Sequence, residues 1–358
     1  MSRCFWLGGS ARSRTPHGAS RRGLTAARSV ERVTRSWSSR SVTLTVLATV
    51  LTCVGLAIAV LAASATSPTP GAEGAPMTAM IVGDSISQGS TGNFTWRYRL
   101  YKALTAAGVT VTFEGPYTDL FDNVVGIRDG NHTYTDPSFD QHHDALWGNT
   151  LQEAAALIRR DVATYSPDYV LVALGLDDLA WGFSDAAGTE SSLKRGSPVF
   201  VTDAGANIIP AIDLWDGTPP NARGEQKIAA GFVDALARDF GIGTGYPRGY
   251  QAVPMGPRTS PVLSVQPGVG QARLTWTTAP GATGYYVYLK NITRPDASFA
   301  KLPFPVAGSS WTAGGLVEGD TYEIYLGTTK GVTEGVLSST QRFTVKHASV
   351  PPVPPVPR

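Results

Sequence analysis

Apolar and polar positions follow two different patterns along this chain, one before and one after residue 250. In the earlier part, short continuous apolar runs alternate with segments that have the apolar spacing of helices. The continuous runs predict buried strands over 78–82, 109–113, 168–174 and 198–202. The other segments predict helices over 94–107, 150–165 and 222–240. This alternation predicts an α/β domain with a parallel sheet, which we place at residues 77–240.

Beyond residue 260 the period of the pattern changes to two, as in strands with one buried face. Segments of this kind occupy 272–276, 285–289, 321–326 and 341–345, with turn residues between them. Short alternating strands at this spacing predict an all-β sandwich over residues 261–346. A Gly- and Pro-rich linker at 241–260 precedes it, and a Pro-rich tail at 347–358 follows it.

The N-terminal segment has the pattern of a membrane or export signal. Residues 42–65 carry no charge and are long enough to cross a bilayer as a helix. The arm at 1–41 is rich in arginine, which predicts a cytoplasmic N-terminus and an exported remainder, starting with a linker at 66–76. Ala63, Ser64 and Ala65 resemble a signal peptidase site, so a cleaved signal peptide competes with an uncleaved anchor. We expect a cell-surface protein, held in the membrane or secreted after cleavage near Ala65.

The charge distribution and the positions of the cysteines exclude some kinds of binding partner and some kinds of catalytic or metal site. The chain has a net charge of +2, and residues 1–40 hold nine arginines against one glutamate, so the remainder is near −6. A mildly acidic folded part is not the footprint of a nucleic-acid-binding protein. Cys4 and Cys53 both precede the exported part, which excludes disulfides, thiol nucleophiles and Cys-ligated metals there. We expect a monomer without a metal or other cofactor.

The sequence Gly83-Asp84-Ser85 ends the first strand of the α/β domain and precedes a helical pattern. Open α/β sheets carry their reactive groups at this place, at the carboxyl ends of strands. The alternative is that Asp84 and Ser85 only cap the helix, since both residue types accept backbone N–H bonds there.

Four blocks in order make the α/β domain resemble the SGNH (GDSL-type) hydrolase family. They are Gly83-Asp84-Ser85, Gly115 after the second strand, the segment 174–178, and the segment 216–221. The resemblance implies a flavodoxin-like three-layer fold and attack by Ser85 on an acyl or acetyl ester of a lipid or carbohydrate. It also implies that the N–H groups of Ser85 and Gly115 stabilise the oxyanion and that Asp216 is the acid of the triad.

Two positions depart from the chemistry of that family. The position of its catalytic His is Pro219, and the position of its oxyanion Asn is Asp177. A serine without a base is a poor nucleophile, and an ionised carboxylate repels an oxyanion. We therefore expect impaired ester hydrolysis, with His143 as the first surrogate base to consider. The alternative is a non-catalytic surface protein that binds glycan or cell-wall polymer.

The segment between Asp177 and Pro219 spans only about 40 residues and contains one clear strand. The family usually places a further strand and helices here, so we expect the loss of about one βα unit and an exposed sheet edge.

The second domain resembles a fibronectin type III module. Trp276 in its second strand, Tyr286 in its third and Tyr322 near its tyrosine corner match that pattern. The resemblance implies a sandwich fold and identifies no ligand, and we expect this module to be a structural spacer.

Overall fold

A computed structural model describes residues 58–62, 76–180, 199–202, 205, 207–247, 249–250 and 255–349. All of them belong to one compact unit, Leu44–Arg358. The predicted arm at 1–41 and most of the predicted membrane segment and its linker lie outside the described residues, as do the last residues of the predicted tail.

The α/β domain is built on one mixed sheet. Its described strands are β1 (Ile58–Ala62), β2 (Met77–Gly83), β3 (Val111–Glu114), β4 (Asp144–Ala145), β5 (Tyr169–Ala173) and β6 (Val199–Val201). They lie in the order β3-β2-β5-β1-β6, with β4 added to β2. Strand β2 pairs in parallel with β3, β4 and β5. The continuous apolar runs at 78–82, 109–113 and 168–174 predict parallel strands at β2, β3 and β5, and β4 is not predicted.

The helices begin and end at residues whose side chains or backbone explain the boundary. They are α1 (Ser85–Gln88), α2 (Trp96–Ala106), α3 (Leu151–Tyr165), α4 (Leu176–Ala180), α5 (Pro210–Asp213) and α6 (Ala222–Phe240). Helix α2 starts two residues later than predicted because Thr95 is its N-cap and accepts from Tyr98 N–H. Thr150 and Glu153 form a capping box on α3, and Gly241 ends α6 in the left-handed conformation.

Both faces of the sheet are covered by helices. Trp96 of α2 stacks on Phe232 of α6 with ring centroids 4.6 Å apart, in a core that includes Ile81, Phe113 and Leu171. The opposite face of the same strands packs against α3 through residues that include Met80, Val82 and Val170. The three-layer α/β architecture is therefore confirmed.

Part of the predicted membrane segment is a strand of this sheet. Of residues 42–65 only Ile58–Ala62 are described, and they form β1 rather than part of a helix. This strand runs antiparallel to β5 and β6 and lies between them. The shortened segment after Asp177 predicts an exposed edge of the sheet. The position beside β5 is instead filled by β1, a strand from the N-terminal side of the domain. Within the described residues there is no helix long and apolar enough to cross a membrane.

The C-terminal part is a β-sandwich, as the alternating pattern predicts. One sheet has the order β10 (Ala300–Lys301), β9 (Gly284–Asn291), β12 (Thr321–Lys330) and β13 (Thr333–Leu337), with β14 (Gln341–Thr344) paired to β12. The other has the order β11 (Ser310–Gly314), β8 (Gln271–Trp276) and β7 (Leu263–Pro267). Their inner faces form one core that includes Trp276, Ile324 and Phe343.

Two tyrosines test the details of the sandwich. Tyr322 forms the expected corner, because its hydroxyl accepts from the backbone N–H of Val317 at 3.1 Å. Tyr286 lies in the third strand of the sandwich, β9, as predicted, but its ring is not the one that enters the core. The buried ring is that of Tyr285. Tyr286 lies on the outer face of the sheet, where Lys301 Nζ is 3.8 Å from its ring centroid. The five residues at 285–289 are all aromatic or apolar, so their pattern does not show which of them point inward.

We expect Tyr322→Phe to lower the free energy of unfolding by about 1 kcal/mol, because the partly buried hydrogen bond from Val317 N–H to the Tyr322 hydroxyl is lost. Urea denaturation monitored by tryptophan fluorescence measures the change. The control is Tyr325→Phe, which removes a hydroxyl from the half-exposed face of the same strand. Equal stability losses in the two variants would contradict the corner's contribution.

Candidate functional site

The turn at the end of β2 is fixed by a buried carboxyl group and by a glycine. Asp84 is the N-cap of α1, and its Oδ1 accepts from Ile86 N–H at 3.0 Å. A Cβ on Gly83 would lie 2.3 Å from Ser87 Oγ and 2.7 Å from the carbonyl oxygen of Ala173, so this position requires glycine. Ser85, the first residue of α1, is only 5% exposed. Asp84 therefore caps the helix, which is the alternative role considered for it from the sequence. Ser85 lies just beyond the carboxyl end of β2.

The sheet brings together the first three of the predicted site positions. Gly115 follows β3, Ser85 follows β2 and Asp177 follows β5, and these three strands are adjacent and parallel. The carboxyl ends of parallel neighbours lie at one edge of a sheet. Gly115 has φ of 149°, and a Cβ there would lie 2.4 Å from the carbonyl carbon of His143. A glycine is needed at this position to let the loop before β4 approach.

Two carboxyl groups interact beside Ser85. Burial and, to a smaller extent, the charge of Asp177 together raise the pKa of Asp84 to about 8, although the N–H bonds from Ile86 and Leu176 lower it. Leu176 directly precedes Asp177. The same backbone segment therefore donates a hydrogen bond to the carboxyl group of Asp84 and carries the carboxyl group of Asp177. At neutral pH Asp84 holds a proton, and the pair carries a single negative charge when Asp177 is ionised.

The side chain of Arg97 holds the helix of Ser85 in place, a role that the sequence analysis missed. Its Nε donates to the carbonyl of Ser87 at 2.8 Å and its Nη2 to the carbonyl of Gln88 at 3.1 Å. Its remaining contacts reach the long loop, through the carbonyl of Gln141 at 2.8 Å and the hydroxyl of Tyr134 at 2.7 Å. A charged residue on the helix after a Gly-Asp-Ser turn is the signal that could have pointed to it.

The segment that contains the predicted triad acid forms a closed turn. Trp215 N–H donates to the carbonyl of Pro219 at 3.1 Å, and Leu214 pairs with Pro220. The carboxylate of Asp216 accepts from Thr218 N–H at 3.0 Å. Desolvation raises the pKa of Asp216, and the Thr218 bond and the charge of Lys330 oppose the shift. Asp216 is thus used within its own turn, and Pro219 has an amide nitrogen with neither a proton nor a basic lone pair.

His143 is built into the fold by both ring nitrogens. Its Nδ1 accepts from Ala145 N–H at 3.1 Å, so Nε2 is the protonated nitrogen and donates to the carbonyl of Asp119 at 2.9 Å. Burial and the charge of Arg97 hold its pKa well below the usual value. A ring with no vacant nitrogen cannot take a proton from Ser85 without breaking one of these bonds, and the geometry gives no support to His143 as a surrogate base.

The other histidines in the described part of the chain have their own contacts. His132 Nδ1 donates to the carbonyl of Leu120 at 2.6 Å, and His142 Nδ1 lies 2.7 Å from Asp140 Oδ1. His347 packs over Gly319 in the sandwich. Over the ranges that the structure describes, no group of three or more His, Cys, Asp or Glu side chains is arranged to hold a metal ion.

Comparison with known families agrees with the geometry at the sheet edge. Residues 80–209 match the family model described as GDSL-like Lipase/Acylhydrolase. The α/β domain resembles this family. The match includes the Gly-Asp-Ser turn, Gly115 and Asp177, and it ends before Asp216 and Pro219. No curated protein matches the chain.

Solved structures similar to the chain include fibronectin type III domains. One is the third fibronectin type III domain of human KIAA0343 protein, which is 19% identical to this chain with a TM-score of 0.25. The match covers 30% of this chain and 97% of that domain. A Fn3-like protein from Clostridium thermocellum is 20% identical, with a TM-score of 0.21, and covers 28% and 98%. The FN1–FN3 domains of chicken CNTN1 are 16% identical, with a TM-score of 0.22 and 25% of this chain covered, and the match spans a third (33%) of that protein fragment.

We expect the stability of the protein to fall as the pH rises towards 8, in part because of Asp84. Its carboxyl group keeps a proton in the folded state up to about pH 8, whereas the unfolded chain releases it near 3.8. Between these values the folded state binds more protons, so the free energy of unfolding decreases with pH, by at most about 1.4 kcal/mol per pH unit for one proton. Urea denaturation at pH 5, 6, 7 and 8 measures the slope.

The matched control for this experiment is Asp84→Asn, which keeps an acceptor at the N-cap but cannot titrate. Its unfolding free energy should depend less on pH than that of the unchanged protein. Asp177→Asn should act in the same direction more weakly, because it removes the neighbouring charge that adds to the shift. A stability difference between the unchanged protein and Asp84→Asn that is constant from pH 5 to 8 would show that Asp84 does not hold the proton.

Proposed function

We propose that this chain is an exported protein derived from GDSL-type serine ester hydrolases, in which hydrolysis of acyl or acetyl esters is impaired. The observation that carries the proposal is the turn at 215–219. It holds a proline at the position of the catalytic base, and its backbone is closed by the bond from Trp215 N–H to the carbonyl of Pro219. The nucleophile end of the site is kept, and the proton acceptor is replaced by a group that cannot accept a proton.

The electrostatics on the other side of Ser85 support the same proposal. Asp177 stands where the family has a neutral amide donor, and its charge acts on the buried carboxyl group of Asp84. An oxyanion that formed at Ser85 would be repelled by the net negative charge of this pair. The N–H groups of Ser85 and Gly115 are the remaining donors, and removing one oxyanion donor typically costs about 10²–10³ in rate.

We expect the unchanged full-length chain to hydrolyse p-nitrophenyl acetate no faster than Ser85→Ala. The chain with Pro219→His and Asp177→Asn together should gain at least about 10³-fold in kcat/KM over the unchanged chain, because it regains a general base and an oxyanion donor. A fluorophosphonate probe followed by mass spectrometry should label Ser85 in the double variant.

The control is the triple variant with Ser85→Ala, which should return hydrolysis to the level of the unchanged chain. Ser85-dependent hydrolysis by the unchanged chain would contradict the proposed impairment. Silence of the double variant, with its fold intact by circular dichroism, would show that the loss extends beyond these two positions.

The alternative function is non-catalytic binding of a glycan or cell-wall polymer, and one feature of the sandwich favours it. On the outer face of β9 and β12, Tyr288 stacks on Tyr325 with centroids 4.6 Å apart, and Phe299 meets Tyr325 edge-on at 4.8 Å. Partly exposed aromatic rings with hydroxyl groups suit contact with a sugar, which has both C–H faces and polar edges. Co-sedimentation with insoluble cell-wall polysaccharide tests this, with Tyr325→Ala expected to lose binding and Ser85→Ala to retain it.

Export is proposed from the basic arm and the apolar run at 42–65. Residues Ile58–Ala62 pair with β5, and they cannot do so while they lie in a bilayer. A membrane anchor that includes these residues and the strand β1 are therefore alternative states. Cleavage near Ala65 would also remove β1 from the sheet. Mass spectrometry of the N-terminus of the cell-associated and secreted protein distinguishes these cases, since a start near residue 66 requires cleavage.

A further inference from the structure

A single lysine of the sandwich is buried in the α/β domain. Lys330, the last residue of β12, donates to Ser90 Oγ at 2.8 Å, to the carbonyl of Thr91 at 2.7 Å and to Asn93 Oδ1 at 2.6 Å. Its ammonium group also lies 4.8 Å from the ring centroid of Trp215. These acceptors belong to the segment that directly follows α1, and Trp215 directly precedes Asp216. One side chain therefore contacts both loops that flank the site of Ser85.

The tip of the β12–β13 hairpin also contacts the second loop through its backbone. Val332 N–H donates to the carbonyl of Trp215 at 2.7 Å. A Cβ on Gly331 would lie 1.8 Å from that same carbonyl oxygen, so the approach requires a residue without a side chain. The carbonyl of Trp215 is thus held from the sandwich while its N–H is held by Pro219.

A second pair of loops approaches as closely on the other side of Lys330. A Cβ on Gly281 of the sandwich would lie 1.9 Å from the carbonyl oxygen of Thr91, and one on Gly92 would lie 2.4 Å from the carbonyl oxygen of Pro280. The Asn123 amide donates to the carbonyl of Gly281 at 3.1 Å. A cavity of about 20 Å³ beside Lys330 is large enough for about one water molecule. A larger cavity of about 450 Å³, lined by residues that include Thr91, Asn123 and Gly281, lies beside this second pair of loops. The two domains are therefore in direct backbone contact at these loops, unlike a free spacer, without being closely packed throughout.

We propose that the β12–β13 hairpin tip is a positioning element of the α/β site, and that Lys330 is the residue through which it acts. Lys330 fixes residues 90–93 and residues 215–219 relative to each other, and so fixes both ends of the site around Ser85. The ammonium group has three acceptors for its three protons. Burial lowers the pKa of Lys330 to about 7 against the charges of Glu225 and Asp216, so the amine is protonated, and donates all three bonds, below about pH 7. The sandwich is then a structural part of the site, and this holds whether or not Ser85 turns over an ester.

Hydrogen exchange of the full-length chain, followed by mass spectrometry, tests the proposal. Lys330→Met keeps the length of the side chain and removes the three hydrogen bonds. At pH 6, where Lys330 is protonated, we expect exchange in peptides covering 89–95 and 214–221 to rise about tenfold or more, because bonds to a charged group are lost. Exchange in β8 should stay within about twofold. Lys301→Met is the control, since Lys301 belongs to the same sandwich and pairs with Glu334 on the surface.

A lysine that only stabilised the sandwich would raise exchange in β8 and leave the two loops of the α/β domain unchanged. That result would overturn the proposal, and so would unchanged exchange everywhere. The readout does not depend on hydrolysis, so failure of this proposal and failure of the proposed function are separate outcomes.

A pair of glycine variants tests the contact without changing a charge. Gly281 and Gly308 are both sandwich glycines with positive φ, at 72° and 81°, and a Cβ would meet Thr91 at the first and nothing within 4 Å at the second. Both substitutions strain their own loop. Only Gly281→Ala should raise exchange in 89–95 and separate the thermal unfolding of the two domains into two calorimetric transitions. Equal effects of Gly281→Ala and Gly308→Ala would contradict a tight contact between the domains.

Discussion

The guanidinium group of Arg97 joins the short helix of Ser85 to the long loop that covers it. A helix of four residues has no stability of its own, since forming its first turn costs more than it gains. The carbonyls of Ser87 and Gln88 at its C-terminal end receive two bonds from Arg97, and the loop carbonyl of Gln141 receives a third. Arg97 is fully buried, so each of these bonds replaces one that water would otherwise make. The position of Ser85 therefore depends on the packing of α2 and on the loop at 117–148, as well as on the strand before it.

The parts of the fold that the sequence could predict are those whose physics is local. Buried parallel strands need an apolar run and helices need a cap, and both signals lie within a few residues of the element they define. The strand β1 and the order in the loop at 117–148 could not be predicted in this way. The loop is held by bonds between distant residues, such as His143 to Asp119, and β1 comes from a segment whose composition equally suits a membrane. At the site, the topology predicts which strand ends meet, but the proton on Asp84 depends on burial, which no motif encodes.

The two departures that we propose at the site have different consequences for the fold. The turn around Pro219 is closed by main-chain bonds, so it does not need an ionisable side chain at that position. Asp177 adds a charge next to a buried carboxyl group, which costs free energy unless one of the two groups holds a proton. Asp84 holds it because burial disfavours the charged form of its carboxyl group more than the N–H bonds from Ile86 and Leu176 favour it. The N-cap of α1 thus makes the replacement of a neutral residue at 177 tolerable at neutral pH.

The contact between the domains gives the loops around Ser85 a link that does not depend on a catalytic histidine. In an active serine hydrolase, the hydrogen bonds between serine, base and acid hold the loops that carry them to each other. If the position of the base is Pro219, as we propose, no such chain of bonds can run through it. Lys330 reaches one loop at Asn93 and the other at the Trp215 ring, which supplies a link between them that does not pass through the reacting atoms. Because that link comes from the sandwich, a change in the sandwich hairpin affects the site of Ser85 more directly than the separation of the two domains along the sequence suggests.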